Sequence, residues 1–117
     1  MVSLDDNNTG SIDRCTIELR PGRNTTIPSW KVYGILCIPK RFRFVFPGYK
    51  IPFVFQTDIG DLSVAVSSAS WSTPVGDSNA GQYVIGMGDY WKKHPELQPG
   101  SELRITRESE LVYLLEI

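Results

Sequence analysis

At 117 residues the chain is long enough for one domain with a real core and too short for two. Its 41% hydrophobic and 21% charged content excludes a disordered chain, and no apolar run nears the roughly 18 residues of a membrane-spanning helix. A net charge of −1 excludes a uniformly basic nucleic-acid coat, so any such role has to rest on how the charge is distributed.

Residues 1–11 read as a polar, mobile lead-in with no basic or apolar block, hence no secretory signal, and a single domain is expected over residues 12–117. A soluble, cytoplasmic protein is the default expectation. Cys15, Ile17 and Leu19 alternate at period two and predict a half-buried strand over residues 12–19. A long loop, residues 20–29, follows, and residues 30–33 (Trp-Lys-Val-Tyr) lead back into the next strand. That strand, residues 35–38, is continuously apolar, which predicts burial on both faces. Pro39 ends it and suits the first position of a helix. Residues 40–45 then predict one or two helical turns, with Phe42 and Val45 inward and Lys40, Arg41 and Arg43 outward, stopped by Pro47-Gly48.

Residues 51–57 form the next predicted strand, with Pro52 near its start. A hairpin connection at residues 58–61 turns it into a partner with Leu62, Val64 and Val66 on one face. Residues 67–81 are a second long polar loop, and residues 82–87 a strand. Residues 88–95 predict a short helix with Asp89 as N-cap and Pro95 as stop. Leu103 and Ile105, then Leu111, Tyr113 and Leu115, alternate in two final strands. The count is seven strands and two short helices, an all-β fold.

Catalytic readings find little support. No phosphate loop or nucleophile elbow occurs, and His94 stands beside lysines with no nameable partner. With one His and no Cys-x-x-Cys, Cys15 and Cys37 offer too few donors for a metal site. In an unexported chain they read as small buried hydrophobes ahead of a disulfide. No catalysis, cofactor or metal is expected.

Binding readings find more. Residues 14–50 carry eight Lys and Arg against Glu18 alone, a net of +7, while residues 1–13 and 51–117 are acidic at −3 and −5. Both long loops are rich in donors. Arg and Asn can read guanine and adenine edges in pairs of hydrogen bonds, whereas Lys, Ser and Thr hold phosphates. A linear charge block can also scatter over a folded surface as plain solvation.

Residues 38–40 (Ile-Pro-Lys) before a short helix resemble the B3 family of DNA-binding domains. So do the helix with Trp91 and the run Leu97-x-x-Gly100-Ser101-x-Leu103-x-Ile105, in the same order of elements. Phe46-Pro47 makes the likeness nearer to the recognition domains of restriction endonucleases than to the plant transcription factors. Gly88-Asp89-Tyr90-Trp91 and Gly100-Ser101 depart from the usual motifs at their positions.

The resemblance implies a seven-stranded open β-barrel, a B3-like pseudobarrel, whose two loop arms grip double-stranded DNA in the major groove. On the first arm it points to Arg20, Arg23 and Asn24 for base edges, with Thr25, Ser29, Lys31 and Tyr33 beside them. On the second it points to Ser70, Trp71, Thr73 and Asn79. Lys31, Lys40, Arg41, Arg43 and Lys50 would hold phosphates. The expected partner is duplex DNA, with no membrane. Any cleavage would belong to a separate nuclease domain or subunit, the isolated domain being a monomer, nucleoid-associated in a bacterium. The alternative is a β-barrel interaction module that binds a peptide, carbohydrate or partner protein through Trp30, Trp71 and nearby aromatics.

Overall fold

The computed structural model describes residues 14–21, 28–68 and 72–117. Among these described residues seven strands lie in chain order: β1 (Arg14–Glu18), β2 (Ile35–Cys37), β3 (Phe53–Thr57), β4 (Gly60–Ser67), β5 (Tyr83–Ile85), β6 (Glu102–Ser109) and β7 (Val112–Glu116). Two short α-helices, α1 (Ser29–Tyr33) and α2 (Gly88–Lys93), and a 3-10 turn (Lys40–Val45) complete it. The strands form one curled sheet, a half-barrel, in the order β1-β6-β7-β3-β4-β5-β2. Every neighbouring pair is antiparallel except β3 with β7.

The period-two pattern explains the inner face. In β1, Cys15 and Ile17 point inward and Arg14, Thr16 and Glu18 outward. Val64 and Val66 of β4, Val84 of β5, and Leu103 and Ile105 of β6 continue the same layer. Phe53, Phe55 and Tyr113, on the paired strands β3 and β7, pack as an aromatic cluster with ring centroids 5.1–6.2 Å apart. Each fully buried large side chain contributes about 1.5–3 kcal/mol, so this cluster is a main source of stability.

An open sheet leaves a seam, because β1 and β2 are its two edges. The 3-10 turn follows β2 directly and packs against β1, so it spans that seam. Phe46, just beyond it, stacks on Tyr113 at 5.8 Å, and the Tyr113 hydroxyl donates to the Val45 carbonyl at 2.7 Å. Val45 and Phe42 face the core and Lys40 and Arg41 face solvent as expected, but the expected outward orientation of Arg43 is corrected. Arg43 turns inward because the backbone carbonyls of Phe46, Asp77 and Ala80 receive its guanidinium. Arg43 is accordingly buried at 6% exposure, while Phe42 is only half-buried.

Other expectations change too. Residues 30–33 belong to helix α1, not to a lead into a strand. Pro28 precedes α1 in extended conformation, and Gly34 closes it at φ 65° with its N–H on the Trp30 carbonyl. A Cβ at Gly34 would also come 3.1 Å from the Gly88 nitrogen, so glycine lets α1 approach α2. Trp30 and Trp91 meet there with centroids 4.7 Å apart. Among the described residues β2 is an edge strand paired with β5 alone, and of its three residues only Leu36 is fully buried. The residue before α2 is Met87, with Asp89 inside the first turn. Leu111 sits in the β6–β7 turn at 40% exposure.

Two buried tyrosines give opposite expectations for the same change. The Tyr113 hydroxyl is bonded, whereas the Tyr90 hydroxyl, equally buried, has no hydrogen-bond partner among the described residues. Tyr113→Phe should lower unfolding free energy by about 1–3 kcal/mol, since it orphans a buried carbonyl, and Tyr90→Phe should be neutral or stabilising. Urea denaturation of both variants checks this; two losses of equal size would contradict it.

Candidate functional site

The two long loops start and end close to β2 and β5. The first has its described ends fixed by Trp30, whose indole N–H donates to the Arg20 carbonyl at 2.8 Å. The second is fixed from below. Arg43 Nε donates to the Ala80 carbonyl at 2.6 Å, and its terminal nitrogens donate to the Asp77 and Phe46 carbonyls at 3.3 and 3.2 Å. The Tyr49 N–H bonds the Asp77 carbonyl at 2.9 Å and the Gly76 N–H bonds the Tyr49 carbonyl at 2.7 Å. Gly48 and Gly76 pack so closely that a Cβ on Gly48 would overlap the Gly76 carbonyl. Lys50, next in the chain, takes a left-handed φ of 62° while its N–H bonds the Val66 carbonyl. Burial lowers the pKa of Arg43, and the nearby Asp77 carboxylate opposes that, so the guanidinium keeps its charge among carbonyl dipoles.

Between these arms lies an open cleft of about 670 Å³. Arg20 and Lys40 give it positive charge, and Ser68, Thr73, Asn79 and Gln82 give it hydroxyl and amide groups. Tyr83 and Cys37 face each other across the β2–β5 pairing and also line it. No carboxylate is among its described lining residues. Burial raises the pKa of the Cys37 thiol and Arg20 works against that, so the thiol is protonated near neutrality. The two cysteines are not bonded to each other; Cys15 lies in the core with its pKa pushed up to about 12 by burial.

The candidate residues from the sequence divide among several places. Arg20, Lys40, Arg43, Thr73 and Asn79 all line the cleft, Arg43 from its nearly buried place beneath the second wall. Lys31 and Tyr33 lie on a separate open depression of about 460 Å³ between α1 and α2, with Val32, Trp91 and Lys92. Ser29 is exposed at the start of α1. Arg41 is exposed over the Phe42 ring at 4.6 Å, and exposed Lys50 stands 5.9 Å over the Tyr49 ring. Arg23, Asn24, Thr25, Ser70 and Trp71 lie outside the described residues. Sequence reasoning passed over Cys37, Gln82 and Tyr83. Period two could have found Cys37 and Tyr83, because Leu36 and Val84 point into the core and their neighbours must point out.

No family model matches the chain, and no match is found among curated proteins or solved structures.

No group of three His, Cys, Asp or Glu side chains suited to a metal occurs among the described residues. His94, which the sequence left without a partner, has two. It ends α2, with Nε2 2.8 Å from Asp58 and Nδ1 2.9 Å from Glu96. The Glu96 hydrogen bond raises its pKa most, burial opposes, and Asp58 adds to the rise. An imidazole between two carboxylates prefers to stay protonated, which suits a clasp between α2 and the β3–β4 turn better than a general base. A raised folded-state pKa gives stability that is fully present below the ordinary value of 6.5 and is lost as pH rises through the raised one. Glu96, lowered chiefly by the same bond, limits that window on the acid side, from its ordinary 4.5 downward. The melting temperature should therefore fall as pH rises above 6.5, and His94→Gln should remove that part of the fall. An identical profile in the variant would show that the clasp contributes nothing.

Proposed function

We propose that this chain binds double-stranded DNA in the major groove, using the two loop arms as a grip and the cleft between them as the reading surface. The observation that carries the reading is the cleft's composition. Arg20 and Lys40 meet amides and hydroxyls there with no carboxylate among the described lining, although the chain as a whole is slightly acidic. Phosphates need such cations, and base edges need such amides and guanidinium groups. The open, curled seven-stranded sheet is compatible with the B3-type pseudobarrel that the sequence resembles. In this reading the chain is a recognition module without catalysis, of the kind that restriction endonucleases join to a separate nuclease domain. Lys40 and Arg41 hold phosphates, and Arg43, buried, acts from beneath.

A second reading has its own observation. Val32 and Tyr33 are 59% and 74% exposed beside the α1–α2 depression, which is more apolar than a typical DNA contact and suits a peptide or partner protein. Trp30, named for that reading, is only 2% exposed and is unavailable as a contact surface.

Salt dependence separates the two. Duplex affinity should fall with a log–log slope of about −0.9 per neutralised phosphate. Lys40→Glu should weaken binding to all sequences alike and flatten that slope, whereas Lys93→Glu, at the end of α2, should do neither. Equal effects at both positions, or binding insensitive to salt, would remove the DNA reading and bring the interaction module forward.

A further inference from the structure

The second arm contains one stretch that is fixed on both sides and yet faces the cleft. Arg43 holds the Asp77 carbonyl on one side of Ser78-Asn79 and the Ala80 carbonyl on the other. Asp77 Oδ1 also accepts the Asn79 N–H at 2.8 Å, which closes a tight Asx turn under that residue. Gly81 follows at φ 108°, and a Cβ there would collide with the Val66 side chain, so the arm returns to the sheet along one path. Asn79 is exposed on this frame and lines the cleft.

We infer that Asn79 is the residue through which the second arm reads a base edge, and that Arg43 is the positioning residue that sets its place from inside. This rests on the DNA reading above. A carboxamide presents one acceptor and one donor side by side, the complement of adenine N6 and N7 in the major groove. Such a contact discriminates better when the backbone that carries the amide is already held in place, because less ordering is then needed on binding. Arg43 supplies the hold without touching the DNA. Its guanidinium is directed at carbonyls, and lysine, with a point charge on a flexible stem, could not reproduce that fork.

The test selects duplexes from a random library with the wild type and with Asn79→Ala, Asp77→Ala and Arg43→Lys. Hydrogen exchange at residues 76–82 is followed in parallel. Wild type should return a site containing adenine at one fixed position. Asn79→Ala should lose preference there by on the order of ten-fold and keep the rest of the site. Arg43→Lys should blur the same position and speed exchange at residues 76–82, leaving the salt slope unchanged because no phosphate contact is lost. Asp77→Ala removes the turn and a nearby carboxylate but keeps the three backbone carbonyls that hold the guanidinium, and should blur the same position if the lysine variant does not fold. A slope flattened by one contact in Arg43→Lys would make Arg43 a phosphate ligand and overturn its positioning role. An Asn79→Ala site identical to wild type overturns the inference while the DNA reading stands. A wild type that enriches no duplex overturns both.

Discussion

A positive charge held under a loop is the constraint on which the cleft depends. Arg43 carries a full charge in a place with 6% exposure, and it is met there by carbonyl dipoles of the second loop and by that of nearby Phe46. A buried charge left without such partners costs several kcal/mol, so the loop that brings the carbonyls is bound to the turn that brings the guanidinium. The same turn carries Val45 and Phe46 into the aromatic cluster around Tyr113. Closure of the half-barrel, burial of Arg43 and position of the second arm are therefore aspects of one packing arrangement.

That arrangement divides the molecule's basic residues by task. A linear count puts eight cations between residues 14 and 50, but their settings differ in kind. Arg20 and Lys40 reach the cleft from exposed positions, Arg43 lines its floor at 6% exposure with its guanidinium bonded to carbonyls, and Lys31 belongs to the α1–α2 side. Net charge in sequence measures the attraction available to an anionic partner. Only the fold decides which of those charges can act together.

Much of the sheet was legible because alternation of apolar residues reports directly on a half-buried strand, as at Cys15 and Ile17 or at Leu103 and Ile105. The failures share a cause. Residues 30–33 contain aromatic and β-branched side chains that favour strands locally, but Trp30 is claimed by Trp91 and Gly34 by the close approach of Gly88. β2 looks buried on both faces because its apolar run is short, and three residues cannot reveal which partner strand is missing. The reversal at Arg43 follows from carbonyls of the second loop, 34 and 37 residues away, which no local pattern reveals. About half of the described candidate residues meet in the cleft, since loops are placed by the tertiary anchors at their bases and not by their own composition.

The Trp30–Trp91 pair gives the molecule an optical signature. Two indoles 4.7 Å apart and inclined at 60° couple their electronic transitions, and such coupling produces a circular-dichroism couplet in the far ultraviolet that backbone structure alone does not generate. Because one ring rides on α1 and the other on α2, the couplet reports whether the two helices are docked, independently of the sheet signal. Its disappearance while strand ellipticity persists would mark the undocking of α1, the element that anchors the outgoing end of the first arm.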